Sequence, residues 1–160
     1  MIMNIVAVIG AGQCDKRIYK LAEEVGVELA NKGFTIICGG LGGVMEAACK
    51  GAKSVGGMTI GILPGDNPND ANKYVDIPIA SGMGIGRNII IIRSADAVMA
   101  INGSFGTLSE LAFALQLNKP IVGLETWDVS GNINKVIDAS DAGNKISEII
   151  LEQWKLEEIF

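Results

Sequence analysis

The sequence predicts an α/β fold, a doubly wound parallel sheet with helices on both faces. Three observations carry this. The short apolar runs that read as strands are continuous rather than alternating, so both faces of the sheet are covered. They alternate along the chain with segments of helical period. Glycine-rich turns follow three of the strands directly, where strand gives way to helix. No internal repeat and no break in composition interrupts the pattern, so residues 1–160 read as one domain.

The elements follow in order. Residues 5–9 form a first strand that runs into Gly10. Residues 15–31 form a helix, because Ile18, Leu21, Ala22, Val25 and Leu29 recur at helical spacing and Asn31-Lys32-Gly33 supplies a stop. Residues 34–38 are a second strand. Residues 43–53 are a helix with the small Ala47, Ala48 and Ala52 toward the sheet, and residues 58–63 are a third strand. Residues 64–86 are rich in Asn, Asp, Pro and Gly. A loop of that length in a compact domain serves a function or hides a short element, here placed at 74–77. Residues 88–93 read two ways: four consecutive isoleucines favour a strand, while their position between two strands favours a crossover helix. Residues 97–101 form the fourth strand, 107–117 a helix and 120–124 the fifth strand. Residues 141–159 form a C-terminal helix with Ile146, Ile149, Ile150 and Trp154 on one face.

Composition narrows the function. The net charge of −5 argues against broad nucleic-acid or anionic-membrane binding, both of which need basic surfaces. It leaves room for a small anion held by backbone amides and one or two basic side chains. The longest apolar runs, such as 89–92, are far too short to span a bilayer. The N-terminus reads as a strand rather than a signal peptide. Cys14, Cys38 and Cys49 are odd in number and form no C-x-x-C pair, which fits a reducing cytoplasm without a disulfide framework. The chain has no histidine, so Ser-His-Asp and Cys-His catalysis and the usual zinc sites are excluded. No metal site is expected: Asp66, Asp70 and Asp76 read as residues of Asx turns.

In such sheets the ligand sits beyond the carboxyl ends of the strands, at the switch point. The three turns there supply the candidate ligand- and phosphate-binding residues: Gly10 and Gly12; Gly39, Gly40, Gly42 and Gly43; and Gly103, Ser104, Gly106 and Thr107. Arg87 joins them, because its guanidinium fork matches phosphate geometry. The most informative stretch is 102–110, Asn-Gly-Ser-Phe-Gly-Thr-Leu-Ser-Glu, which reads as strand, turn and anion-ready helix start. Its last residue has two readings. With Thr107 as N-cap, Glu110 completes a capping box; alternatively it faces the ligand. Cys14 reads as a small buried filler, Glu46 as complementing its helix dipole, and Trp127 and Trp154 as serving packing or an oligomer interface.

Two common nucleotide motifs are excluded. Gly10-Ala11-Gly12-Gln13-Cys14-Asp15 begins like G-x-G-x-x-G but ends in Asp15. Gly39-Gly40 also stands where a ribose-binding acid is needed, so NAD binding of the usual kind is not expected. No P-loop sequence is present.

Residues 39–46, then Gly86-Arg87-Asn88, then 102–110, in this order, resemble the LOG-like superfamily of Rossmann-like proteins, often mislabelled lysine decarboxylases. The resemblance spans about residues 4–125 and is closest to the molybdenum-cofactor carrier proteins and their prokaryotic relatives. LOG enzymes cleave the N-glycosidic bond of cytokinin nucleoside monophosphates with the signature P-G-G-x-G-T-x-x-E and an upstream R-K pair. Gly103, Gly106, Thr107, Glu110 and Arg87 match. Asn102, Ser104 and Asn88 replace the proline, the second glycine and the lysine.

The carrier-like resemblance therefore implies a binding protein for a nucleotide-like or pterin-type phosphorylated ligand. It implies the molybdenum cofactor or a nucleoside monophosphate as that ligand, and a homo-oligomer, a dimer or tetramer. The alternative it implies is a nucleoside 5′-monophosphate phosphoribohydrolase, in which Arg87 and Glu110 would be the catalytic pair, Arg87 holding the phosphate and Glu110 the developing cation. A weaker alternative is a ligand-regulated interaction module. A lysine decarboxylase is not expected, because no lysine has a pyridoxal-phosphate context.

Overall fold

A computed structural model describes residues 4–157 of the chain. Seven strands form one sheet, every neighbouring pair parallel. Along the chain they are β1 (Ile5–Gly10), β2 (Thr35–Cys38), β3 (Thr59–Leu63), β4 (Ile77–Ala80), β5 (Ala97–Ile101), β6 (Ile121–Leu124) and β7 (Ile133–Lys135). The helices are α1 (Lys16–Asn31), α2 (Val44–Ser54), α3 (Asn88–Arg93), α4 (Phe105–Gln116) and α5 (Ala139–Glu157). The spatial order β4-β3-β2-β1-β5-β6-β7 reverses direction between β1 and β5. The fold is thus the doubly wound, Rossmann-like α/β architecture expected, with its switch point at those two central strands.

Burial explains the continuous apolar runs. Alternate residues of each central strand feed separate cores. Val6 and Val8 of β1 pack with Met99 of β5 against α1, α2 and α5; Ala7 and Ile9 pack with Val98 and Ala100 against α3 and α4. Helix α1 starts where its cap dictates: the Asp15 side chain accepts the Ile18 N–H at 2.8 Å. Helices α1 and α2 touch through glycine. A methyl group on Gly51 would overlap the Glu23 carbonyl, and one on Gly26 the Ala48 carbonyl, so the two backbones approach as closely as the chain allows.

The structure decides or departs from the sequence reading at five places. Residues 88–93 are helical: Asn88, Ile91 and Ile92 are buried at i, i+3, i+4 spacing, so the need for a crossover between parallel strands overrides the β propensity of four isoleucines. The short element expected at 74–77 is strand β4, beginning at Ile77; its Pro78 is tolerated because the strand lies at the sheet edge. Strand β7, only Ile-Asn-Lys, has no apolar run to announce it. Helix α4 begins at Phe105 rather than Thr107, which matters for the site below. The C-terminal helix starts at Ala139. Its Ile146 and Ile150 are buried, Ile149 is half-buried against the same core and Trp154 is partly exposed; residues 158–160 lie outside the described residues.

Because α3 is short, the sheet beside it is only partly covered. Ile5, Ile37, Ile60, Ile79, Met83 and Ile90 border an apolar groove of about 420 Å³ on that face. Among the described residues no helix is long and apolar enough to cross a membrane.

Candidate functional site

At the switch point the turns after β1 and β5 meet. They enclose a cleft of about 120 Å³ bordered by Gly10, Gly12, Arg87, Ser104, Gly106, Thr107 and Glu110, with Met45 and Asn88 completing the wall. Seven of the residues singled out from sequence therefore share one site. Gly39, Gly40, Gly42, Gly43 and Gly103 do not border the cleft; they shape the turns behind it. Gly43 is representative. Its φ is +62°, and it lies against the Ala11 and Gly12 backbone, while the next amide, of Val44, donates to the Ala11 carbonyl at 3.0 Å. The second turn is thus pinned to the first. Asn72, from the long loop, holds its other side by donating Nδ2 to the Leu41 carbonyl at 2.8 Å.

The start of α4 forms one wall. Ser104 is the N-cap, and its backbone N–H donates to the Thr107 hydroxyl at 3.3 Å. Among the described residues the N–H groups of Phe105 and Gly106 have no protein acceptor, and both lie in the first turn of a twelve-residue helix. The capping box expected at 107–110 does not exist. The helix has already begun, so Glu110 sits in its second turn and accepts no hydrogen bond from a helix-start amide among the described residues.

Glu110 is instead a buried group facing the cleft. It is only 7% exposed, and its carboxylate has no hydrogen-bond partner among the described residues. Burial pushes its pKa up to about 7, partly opposed by the positive charge of Arg87. The two side chains do not form a contact ion pair.

Arg87 is 9% exposed and ties the ends of two strands together. Nε donates to the Ile62 carbonyl at 2.9 Å and Nη2 to the Gly39 carbonyl at 3.3 Å, while Nη1 donates to Asn88 Oδ1. Burial holds its pKa below the usual arginine value. Each terminal nitrogen keeps one further N–H to offer. Asn88 continues the chain of bonds, donating Nδ2 to the Ser109 hydroxyl at 3.1 Å; Ser109 donates to the Gly106 carbonyl at 2.7 Å. The arginine is thereby linked to the α4 start. In the sequence Asn88 stands only as a replaced lysine, and its adjacency to Arg87 is the signal that points to this role.

The remaining candidates fall outside the cleft. Cys14 is half-buried against the core, and burial, with Asp15 nearby, raises its pKa, so it is not an activated thiolate. Glu46 lies in the first turn of α2 and accepts the Tyr19 hydroxyl at 3.0 Å. Asp76 pairs with Lys53 at 2.8 Å and accepts the Thr59 amide. Cys38 and Cys49 are buried with sulfurs 3.6 Å apart, and Gly40 N–H donates to Cys38. Trp127 lies beside the α4 start: its indole donates to the Ser104 carbonyl at 3.2 Å.

The chain is similar to several known proteins. The molybdenum cofactor binding protein of the phototrophic bacterium Rippkaea orientalis superposes with a TM-score of 0.88 at 34% identity, over 94% of this chain and 99% of that one. The molybdenum cofactor carrier protein of Chlamydomonas reinhardtii superposes at 0.87 with 32% identity, over 93% and 99%. A cytokinin riboside 5′-monophosphate phosphoribohydrolase of Mycobacterium tuberculosis is 32% identical over 124 residues, 69% of this chain and 64% of the enzyme. Residues 3–154 match the model of the SLOG cluster4 family, and the chain belongs to that family.

Proposed function

We propose that the chain binds a small phosphorylated ligand, nucleotide-like or pterin-type, at the cleft between the ends of β1 and β5, as a molybdenum-cofactor carrier-like protein. The observation that supports this best is the convergence at one cleft of unpaired donors and one unpaired acceptor. The Phe105 and Gly106 amides and the spare Arg87 N–H groups suit a phosphate. Glu110 suits an N–H or O–H of the sugar or ring beyond it. A molybdenum cofactor would be cargo here, gripped by its phosphate and ring. Among the described residues no cluster of His, Cys, Asp and Glu suited to a metal ion is present. The free cysteines suit a reducing cytoplasm.

The second reading, a nucleoside 5′-monophosphate phosphoribohydrolase, is favoured by one observation: Glu110 is freed from any capping role and has a pKa near neutrality. The usual glycoside chemistry needs two carboxylates. Among the described residues only one borders the cleft, which is why binding is preferred. Incubation with AMP, GMP and other monophosphates, read by thermal melting and by chromatography for free base, separates the two. Stabilisation without base release is expected. Base release establishes the hydrolase, and no stabilisation by any phosphorylated compound overturns binding.

The bare sheet face at Ile60, Ile79, Met83 and Ile90 suits a second copy of the chain, in a dimer or tetramer. Sedimentation should find an oligomer that Ile79→Glu dissociates; a monomeric parent protein would contradict this.

A further inference from the structure

We propose that Phe105 and Trp127 form a stacking platform for a planar heteroaromatic ring of the ligand whose phosphate occupies the neighbouring cleft. This rests on the phosphorylated-ligand reading above. The cleft, about 120 Å³, is smaller than the roughly 300–1,000 Å³ that enclose a drug-sized molecule. It takes a phosphate and part of a sugar, so the ring of a nucleotide or pterin lies outside, on the rim.

The rim offers two apolar surfaces. Met83 borders the bare sheet face, Ile85 follows it two residues before Arg87, and neither is aromatic. On the other side Phe105 stands between Ser104 and Gly106, both of which border the cleft, and is 81% exposed. A single exposed phenylalanine is ordinary. This one is paired: its ring stacks on Trp127 with centroids 6.2 Å apart and planes 27° from parallel.

The Trp127 side of the platform is also tethered. The Trp127 indole is held by the Ser104 carbonyl. Thr126 donates its hydroxyl to the Asn102 carbonyl at 2.7 Å, and Glu125 accepts a bidentate pair of bonds from Arg17 at 2.8 Å each. The loop after β6 is thereby fastened to the turn after β5, and the ordering cost of presenting the aromatic face is met before the ligand arrives. An aromatic face set beside an anion site fits a ligand that is anionic at one end and flat at the other.

The test uses Trp154→Phe, which leaves Trp127 as the sole tryptophan, with GMP and ribose 5-phosphate as probes. GMP carries the 2-amino-4-oxo edge that pterins share; ribose 5-phosphate has no ring. GMP is expected to change Trp127 emission and to bind about 5- to 100-fold tighter than ribose 5-phosphate. Phe105→Ala should remove most of that advantage and Phe105→Tyr restore it, with melting temperatures confirming that the variants fold. Equal affinity for the two probes, an unchanged Trp127 emission, or an equal loss of both ligands in Phe105→Ala overturns the platform while leaving the anion site standing. Binding of neither probe overturns the platform together with the reading beneath it.

Discussion

Glu110 carries the clearest chemical signature in the molecule, a carboxyl group buried without a protein partner and titrating near neutrality. The consequence for stability has a definite sign. A carboxyl whose pKa rises on folding from its ordinary value of 4.5 to about 7 binds its proton more tightly in the folded state, so stability falls as pH rises through that window. The loss is about 3 kcal/mol, because each tenfold gain in proton affinity is worth about 1.4 kcal/mol. Glu110→Gln should therefore melt with the parent protein at pH 4.5 and above it at pH 8, its melting curve flatter across the interval. Parallel pH profiles for the two proteins would show that Glu110 is solvated. The sequence disguised this residue. Its spacing from Thr107 matches a capping box, and only the N-cap at Ser104, three residues earlier than that spacing requires, separates the two readings. Arg87 was legible as a cleft residue, but its bonds to the Ile62 and Gly39 carbonyls were not, because they depend on strands far apart in sequence.

The elements show where periodicity suffices and where it does not. Helix α1, with its Asp15 cap and apolar stripe, and the central strands β1 and β5 follow directly from their sequences. Helix α3 does not, because isoleucine is a strand former and only the crossover decides. Strands β4 and β7 are short edge elements, one interrupted by Pro78 and the other polar, so neither has the pattern of a buried strand. The contact between α1 and α2 is likewise invisible in either helix alone. In an isolated helix Gly51→Ala would gain about 1 kcal/mol of propensity. Here the added methyl meets the Glu23 backbone, and overpacking of about 1–3 kcal/mol sets the sign. Denaturant unfolding should find Gly51→Ala less stable than the parent. A more stable variant would mean that the helices stand further apart.

At the scale of the whole molecule, function follows from topology. The strand order reverses between β1 and β5, the turns after those strands diverge to opposite faces, and the cleft is the gap they leave. That position was readable from three glycine turns at strand ends. The division of labour among them was not: the first and third border the cleft, while the glycines of the second brace it from behind, held by Asn72 and Val44. Gly106 offers the most direct test of the central claim that this cleft is an anion site. A side chain there meets nothing within 4 Å, and the position lies in the first turn of α4, where an acidic residue favours the helix. Gly106→Asp therefore places a negative charge in the cleft without a steric clash. Calorimetric titration with ribose 5-phosphate should show binding to the parent protein. In Gly106→Asp, with a cooperative melting curve confirming that it folds, binding should weaken at least about tenfold, since like charges in contact are strongly unfavourable. Equal affinity in the two proteins would place the phosphate elsewhere and contradict the account.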